Sequence, residues 1–229
     1  MITVAQTTPD QRALFIQKTY LHLAGAIAAF IFLEFIFFQT PIAQGFTAFV
    51  MGSRYMWLAV LGGFSLLGWL SRGLTAKADN IQLQYIGLGI YVFAEALLFI
   101  PLLYIAAYFS DPTVIPTAAI LTLLLFCGLS AIVLTTGKDF SFLGGILKIG
   151  GFIALGLIIC SIMFGFTLGL IFSFLMVGLA SAAILYDTSK IMHHYSKNQY
   201  VAASLELFAS VALLFWYILR ILIQFSSRR

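Results

Sequence analysis

Seven stretches of about twenty or more apolar residues follow one another along this chain, at 20–38, 49–70, 81–109, 114–135, 142–164, 168–186 and 201–225. A helix that crosses the hydrocarbon core of a bilayer needs about 20 such residues. Spanning segments must also satisfy their backbone internally, so runs of this length predict helices rather than loops or open sheet edges. Polar punctuation separates them: "QTP", "SRGLTAKADN", "SDPT" and "TGKDFS", then a weak break at 165–167, and last a polar loop before Val201. The sequence predicts an all-α integral membrane protein with seven transmembrane helices. Residues 1–19 read as a cytoplasmic N-terminal segment, with 11–20 an amphipathic lead-in, and 20–229 as a single membrane domain.

Composition agrees. Only 9% of the 229 residues are charged, whereas 62% are hydrophobic. Soluble domains carry roughly 25% charged residues. The formal net charge of +4 is spread over loops and ends, which argues against nucleic acid as a partner and for a lipid bilayer. The N-terminal "MITVAQTTPDQRALFIQKTY" lacks the short apolar core and cleavage pattern of a signal peptide. Cys127 and Cys160 lie inside apolar runs without metal-ligand spacing and read as small buried hydrophobes.

With the N-terminus inside, the inner segments hold Arg12, Lys18, Arg72, Lys77, Lys138, Lys190 and Lys197, and the outer loops hold Arg54. The positive-inside rule favours that orientation. Arg220, Arg228 and Arg229 then fall outside if the last run crosses fully, and inside if it re-enters. Its length favours crossing.

Ionisable groups at membrane depth are costly and mark ion or proton routes or internal pairs. Glu95 lies about 14 residues from either end of its run, about 20 Å deep along a helix axis. Glu34, late in the first run, reads as solvated near an outer end. Lys148, in the first turns of the fifth run, reads as snorkelling to an interface, with an internal counter-ion as the alternative. Asp187 ends the sixth, and Glu206 enters the seventh on the same helical face as Ser210, one turn on. The last two runs are antiparallel, so Asp187 and Glu206 are expected to face each other near the inner side as a coupled carboxyl pair. His193 and His194 are adjacent, and on a helix they diverge rather than form a metal pair. No GxSxG, HExxH, phosphate-binding or dinucleotide-binding pattern is present in the sequence, so no enzymatic activity and no cofactor are expected.

"ILYDTSKI", a short polar loop and "YVAASLELFASVALLFWYILRIL" together resemble the C-terminal signature of the Bax inhibitor-1 family. "TTGKDFSFLGGIL" and "FIQKTYLHLAG" resemble its fifth-helix entry and its N-terminal start. The resemblance covers essentially the whole chain. It implies two layers of three helices around a C-terminal helix. For bacterial members it implies a pH-sensitive calcium leak in the inner membrane, gated by two aspartates and closed by an arginine near the inner end of the second helix. The first aspartate corresponds to Asp187 and the arginine to Arg72 in "GWLSRG". At the position of the second stands Ser210, with Glu206 one turn earlier.

Two functions follow as expectations. One is a cation leak channel or transporter for calcium or protons, with Asp187, Glu206, Ser210, Arg72 and Glu95 as its gate and ion or proton site. In that reading Asp187 and Glu206 are transient calcium ligands. The other is a non-conducting protein that binds and modulates a membrane protease or another membrane complex.

Overall fold

A computed structural model describes residues 3–226. Its long helices are α1 (Pro9–Gln39), α3 (Arg54–Thr75), α4 (Ile81–Phe109), α5 (Val114–Thr136), α6 (Leu143–Phe164), α7 (Gly169–His193) and α8 (Tyr200–Ser226); a short helix, α2 (Ile42–Met51), follows α1. The seven long ones are apolar enough to cross a membrane.

Local chemistry sets the boundaries. Pro9 opens α1, where its fixed φ suits a first turn, so the helix begins well ahead of the apolar run and residues 9–19 belong to it. Thr40 and Pro41 end it, because a residue before proline is pushed out of helical geometry. The run at 49–70 is not one span. Phe49 belongs to α2, and the break at Gly52 and Ser53 starts α3 afresh, with the Ser53 hydroxyl accepting from the Tyr55 amide at 3.3 Å. The weak break near 165 is a true helix end. Gly165 has φ 77°, a left-handed conformation that glycine adopts without a Cβ clash.

The first three spans, α1, α3 and α4, pack among themselves, and so do α5, α6 and α7. α8 lies between the two groups and touches α1, α3, α4, α5 and α7. Leu205, Leu207, Leu214 and Leu219 of α8 are fully buried. α6 is the opposite case: among the described residues Ala154 is its one buried side chain, and Phe152 and Ile149 project outward as lipid-facing groups do. Cys127 and Cys160 are likewise exposed, which corrects the reading of both as buried.

Four connections share one face. The Val4 amide donates to the Tyr195 carbonyl at 2.8 Å, tying the N-terminus to the α7–α8 loop. Gln84 Nε2 bridges the carbonyls of Lys77 and Asn198, both at 3.2 Å. The Phe140 amide donates to Ser189 Oγ at 2.8 Å, joining the α5–α6 loop to α7. On the opposite face the Asp111 amide donates to Ser226 Oγ at 3.0 Å. α8 therefore crosses fully and does not re-enter. Arg228 and Arg229 lie outside the described residues.

Asp139 is the hinge pin of the α5–α6 loop. It accepts from the Ser141 amide at 2.8 Å and from Ser189 Oγ at 3.0 Å. The Ser141 amide, foremost, holds its carboxyl below the ordinary carboxylate value. A lowered carboxyl stabilises the fold above its unfolded-state pKa, and the contribution fades as pH falls through the lowered folded value, below about 4. Asp139→Asn should therefore speed hydrogen exchange at the Phe140 and Ser141 amides at neutral pH, and leave the exchange below that pH close to the wild type's.

Candidate functional site

α3, α4, α7 and α8 bring polar side chains together just inside the face shared by the four connections. Arg72 lies three residues from the end of α3, Glu206 six from the start of α8, and Asp187 six from the end of α7, so each stands about 5–9 Å in along its helix.

Arg72 Nε donates to both carboxylate oxygens of Glu206, at 2.9 and 3.2 Å, linking α3 to α8. Its guanidinium also lies over the Tyr91 ring, 5.5 Å from the centroid. Such placement adds a cation–π attraction and fixes the direction of the fork. Tyr91 is itself held between Phe64 and Phe208, at centroid distances of 5.8 and 6.2 Å. One turn along α8, the Ser210 hydroxyl donates to Asp187 Oδ2 at 2.6 Å. Asp187 is 8% exposed.

The expected face-to-face carboxyl pair is thus corrected. Asp187 and Glu206 lie near enough for one to act on the other's charge, yet each takes a partner of its own. The physical reason is the α8 turn between them. Glu206 projects toward α3 and its arginine, while Ser210 projects toward α7. Ser210→Ala leaves Asp187 Oδ2 without this donor in a buried setting. A loss of about 1–3 kcal/mol is expected, read as a lowered melting temperature in detergent, with Ser210→Thr recovering most of it.

Behind the ion pair a cavity of about 830 Å³ runs between α3, α4, α6 and α8. Along α3 it reaches from Arg72 to Trp57, about 22 Å, and along α8 from Glu206 to Arg220, about 21 Å. Glu95 lines its middle, 5% exposed, and interacts with the Tyr91 side chain one turn away. The site residues therefore form a polar track within a mostly apolar lining. Arg72 and Glu206 stand at one end, Tyr91 and Glu95 follow inside, and Arg220 and Thr167 stand at the other end.

Tyr195, in the α7–α8 connection, lies near Glu206 and Asp187. Burial, and then the carboxylates of Glu206 and Asp187, push its phenol above the ordinary value, so it stays neutral. Lys190 Nζ lies 5.2 Å from its ring centroid and 5.1 Å from that of Tyr186. Lys148 is exposed on α6 and does not line the cavity, which corrects its alternative role as an internal counter-ion. The cause is the outward face it occupies on the least buried helix. Among the described residues, no three His, Cys, Asp or Glu side chains converge as a metal site. His22 bonds the Tyr85 hydroxyl at 2.7 Å, and His194 lies 3.7 Å from Asp139.

Sequence reasoning passed over Tyr91 and Tyr195. Tyr91 had a signal, one helical turn before the deep Glu95. Glu34 was misplaced. It is 7% exposed rather than solvated, and neither carboxyl oxygen has a hydrogen-bond partner among the described residues.

The sequence model of the family described as "Inhibitor of apoptosis-promoting Bax1" matches residues 12–227. An uncharacterized protein of Pseudomonas aeruginosa is 44% identical over 110 residues, covering 48% of this chain and 49% of its own. YccA of Escherichia coli is 40% identical over 108 residues, covering 47% and 48%. It is named a modulator of FtsH protease in strain K12 and an inner membrane protein in strain O6:H1. Bax inhibitor 1 of Schizosaccharomyces pombe is 29% identical over 224 residues, covering 96% and 79%. The chain spans about half the length of these two bacterial relatives.

Proposed function

This chain belongs to the Bax inhibitor-1 family, and from that premise we propose that it is a pH-sensitive leak channel or transporter for small cations, with calcium as its cargo. The observation that carries this reading is the polar track through the core, closed at one end by the Arg72–Glu206 pair. An all-structural core would fill that volume with apolar side chains. Here a cavity of about 830 Å³, though mostly apolar in its walls, also takes Glu95, Glu206, Ser210 and two arginines into its lining.

In the described conformation the pair is shut, because the Glu206 oxygens both face Arg72. Breaking the pair frees the guanidinium and opens the Glu206 carboxylate to a passing cation. Once Arg72 swings away, Glu206, Asp187 and the Ser210 hydroxyl become a set of oxygen donors of the kind calcium prefers. Too few ligands converge for a resident ion, which suits transient passage. The basic loops support a cytoplasmic N-terminus and gate by the positive-inside rule, and the E. coli relative named an inner membrane protein supports that location. The test is calcium flux into proteoliposomes at several pH values. Flux above that of empty vesicles is expected for the wild type, with a changed pH profile in Asp187→Asn. If both proteins match empty vesicles, conduction is excluded.

A second reading has support of its own in the name of YccA, a modulator of FtsH protease. In that reading the chain conducts nothing and binds a membrane protease or another membrane complex. Stoichiometric co-purification from native membranes, unaffected by Asp187→Asn, together with absent flux, is its signature.

A further inference from the structure

A second cavity, about 600 Å³, lies across α8 from the first. Residues advance 100° per step around a helix. Glu206, Ser210 and Leu213 therefore face the polar track, and Phe208, Val211 and Phe215 face nearly the opposite way, into this second space. Its other walls come from α1, α4 and α5. Along α1 it extends from Tyr20 to Glu34, about 21 Å. One leaflet of a hydrocarbon core is about 15 Å thick, so the groove is long enough for one extended alkyl chain. Ile31 and Leu123 on its rim are 60% and 59% exposed, which opens it sideways to the bilayer.

The lining is apolar with few exceptions. Thr122 spends its hydroxyl on the Ala118 carbonyl at 2.8 Å. Tyr20 stands at one end. At the other is Glu34, the one carboxyl in the lining, buried with both oxygens unpartnered among the described residues. Glu34 sits five residues from the end of α1, about 8 Å in, close to the level where the head of an amphiphile would lie. A buried carboxyl without donors is costly. A cationic head with N–H donors meets both its charge and its empty lone pairs.

We propose that this cavity binds a single-chain aliphatic amine, its chain along the α1–α5 groove and its ammonium on Glu34. The site is separate from the polar track and does not depend on whether the protein conducts. Charge-assisted hydrogen bonds are roughly twice as strong as neutral ones, so head chemistry discriminates ligands that share a chain. A carboxylate head would meet Glu34 with like charge, and a hydroxyl would bring no charge.

The test offers hexadecylamine, hexadecanol and hexadecanoic acid to the protein in nanodiscs, with empty nanodiscs as background. Bound ligand is read by native mass spectrometry. The amine is expected to bind about tenfold more tightly than the alcohol and the acid. Glu34→Gln should bring the amine down to the alcohol's level. Ala119→Phe, which fills the groove without touching the carboxyl, should weaken amine and alcohol alike, and unchanged melting temperatures would show both variants folded. Equal binding of amine and alcohol by the wild type overturns the proposal. So does an amine preference that persists in Glu34→Gln, or chain binding untouched by Ala119→Phe.

Discussion

Glu206→Gln raises calcium flux through reconstituted protein at neutral pH by about tenfold. The side chain keeps its size and loses its charge, so the change acts first on the pair with Arg72 and, through its charge, on Asp187 and Tyr195. Arg72 and Glu206 side chains are 45% and 28% exposed. A fully buried pair broken on one side costs about 3–5 kcal/mol, and a solvated one about 0.2–1. Half-exposure, one nitrogen shared between two oxygens and the Tyr91 ring behind the guanidinium place this pair between those limits, near 1.4 kcal/mol. That is a factor of ten in the balance of closed and open forms. Arg72→Gln should match it, and Arg72→Lys should fall between, since an ammonium keeps the charge but not the planar fork. Variants with wild-type flux would remove the ion pair from any role in closing the track.

Gly87→Ala lowers stability by about 1–3 kcal/mol, and Gly87→Leu prevents accumulation of folded protein. A Cβ at this position would lie 2.7 Å from the Ser71 carbonyl oxygen, 2.8 Å from Thr75 Cγ2 and 3.1 Å from Leu74 Cβ. The first of these is main chain and cannot rotate aside, so α3 must move away from α4. Small residues at such crossings are what let membrane helices come close. Gly89 is the control. Nothing lies within 4 Å of its would-be Cβ, and Gly89→Ala should be neutral or gain up to about 1 kcal/mol from helix propensity. Melting curves in detergent separate the two. Equal melting of Gly87→Ala and wild type would mean that α3 and α4 do not approach as described. Tyr91 is one turn beyond Gly87 and Arg72 is next to Ser71, so a partly folded Gly87→Ala protein should leak as well.

The spans were legible because their requirement is local: enough consecutive apolar residues, whatever they touch. α2 was not, because its last three residues, 49–51, merge with α3 into one run by hydropathy, and the break is carried by Gly52 and Ser53 alone. The common face of Glu206 and Ser210 was legible from spacing. Their separate partners were not, because partner choice depends on how α8 is rotated against α3 and α7, and nothing in the α8 sequence states that angle. Glu34 shows the same limit. Its depth along α1 suggested water nearby, yet the face it shares with Phe30 and Phe37 turns it inward.

The central position of α8 has a consequence for biogenesis. The helix that fills the middle of the bundle follows the other six spans in chain order, so they enter the membrane before their common core exists. Arg72 and Glu206 are 134 residues apart. At about 5–20 residues per second of synthesis, the arginine waits roughly 7–27 seconds for its carboxylate. It can do so because it lies within one turn of the end of α3, where a long side chain reaches headgroups and water. Glu95 has no such outlet and rests on Tyr91, which the ribosome delivers four residues earlier. Arg72 and Glu95 have thus each been given a way to wait, by reach in one case and by a neighbour in the other.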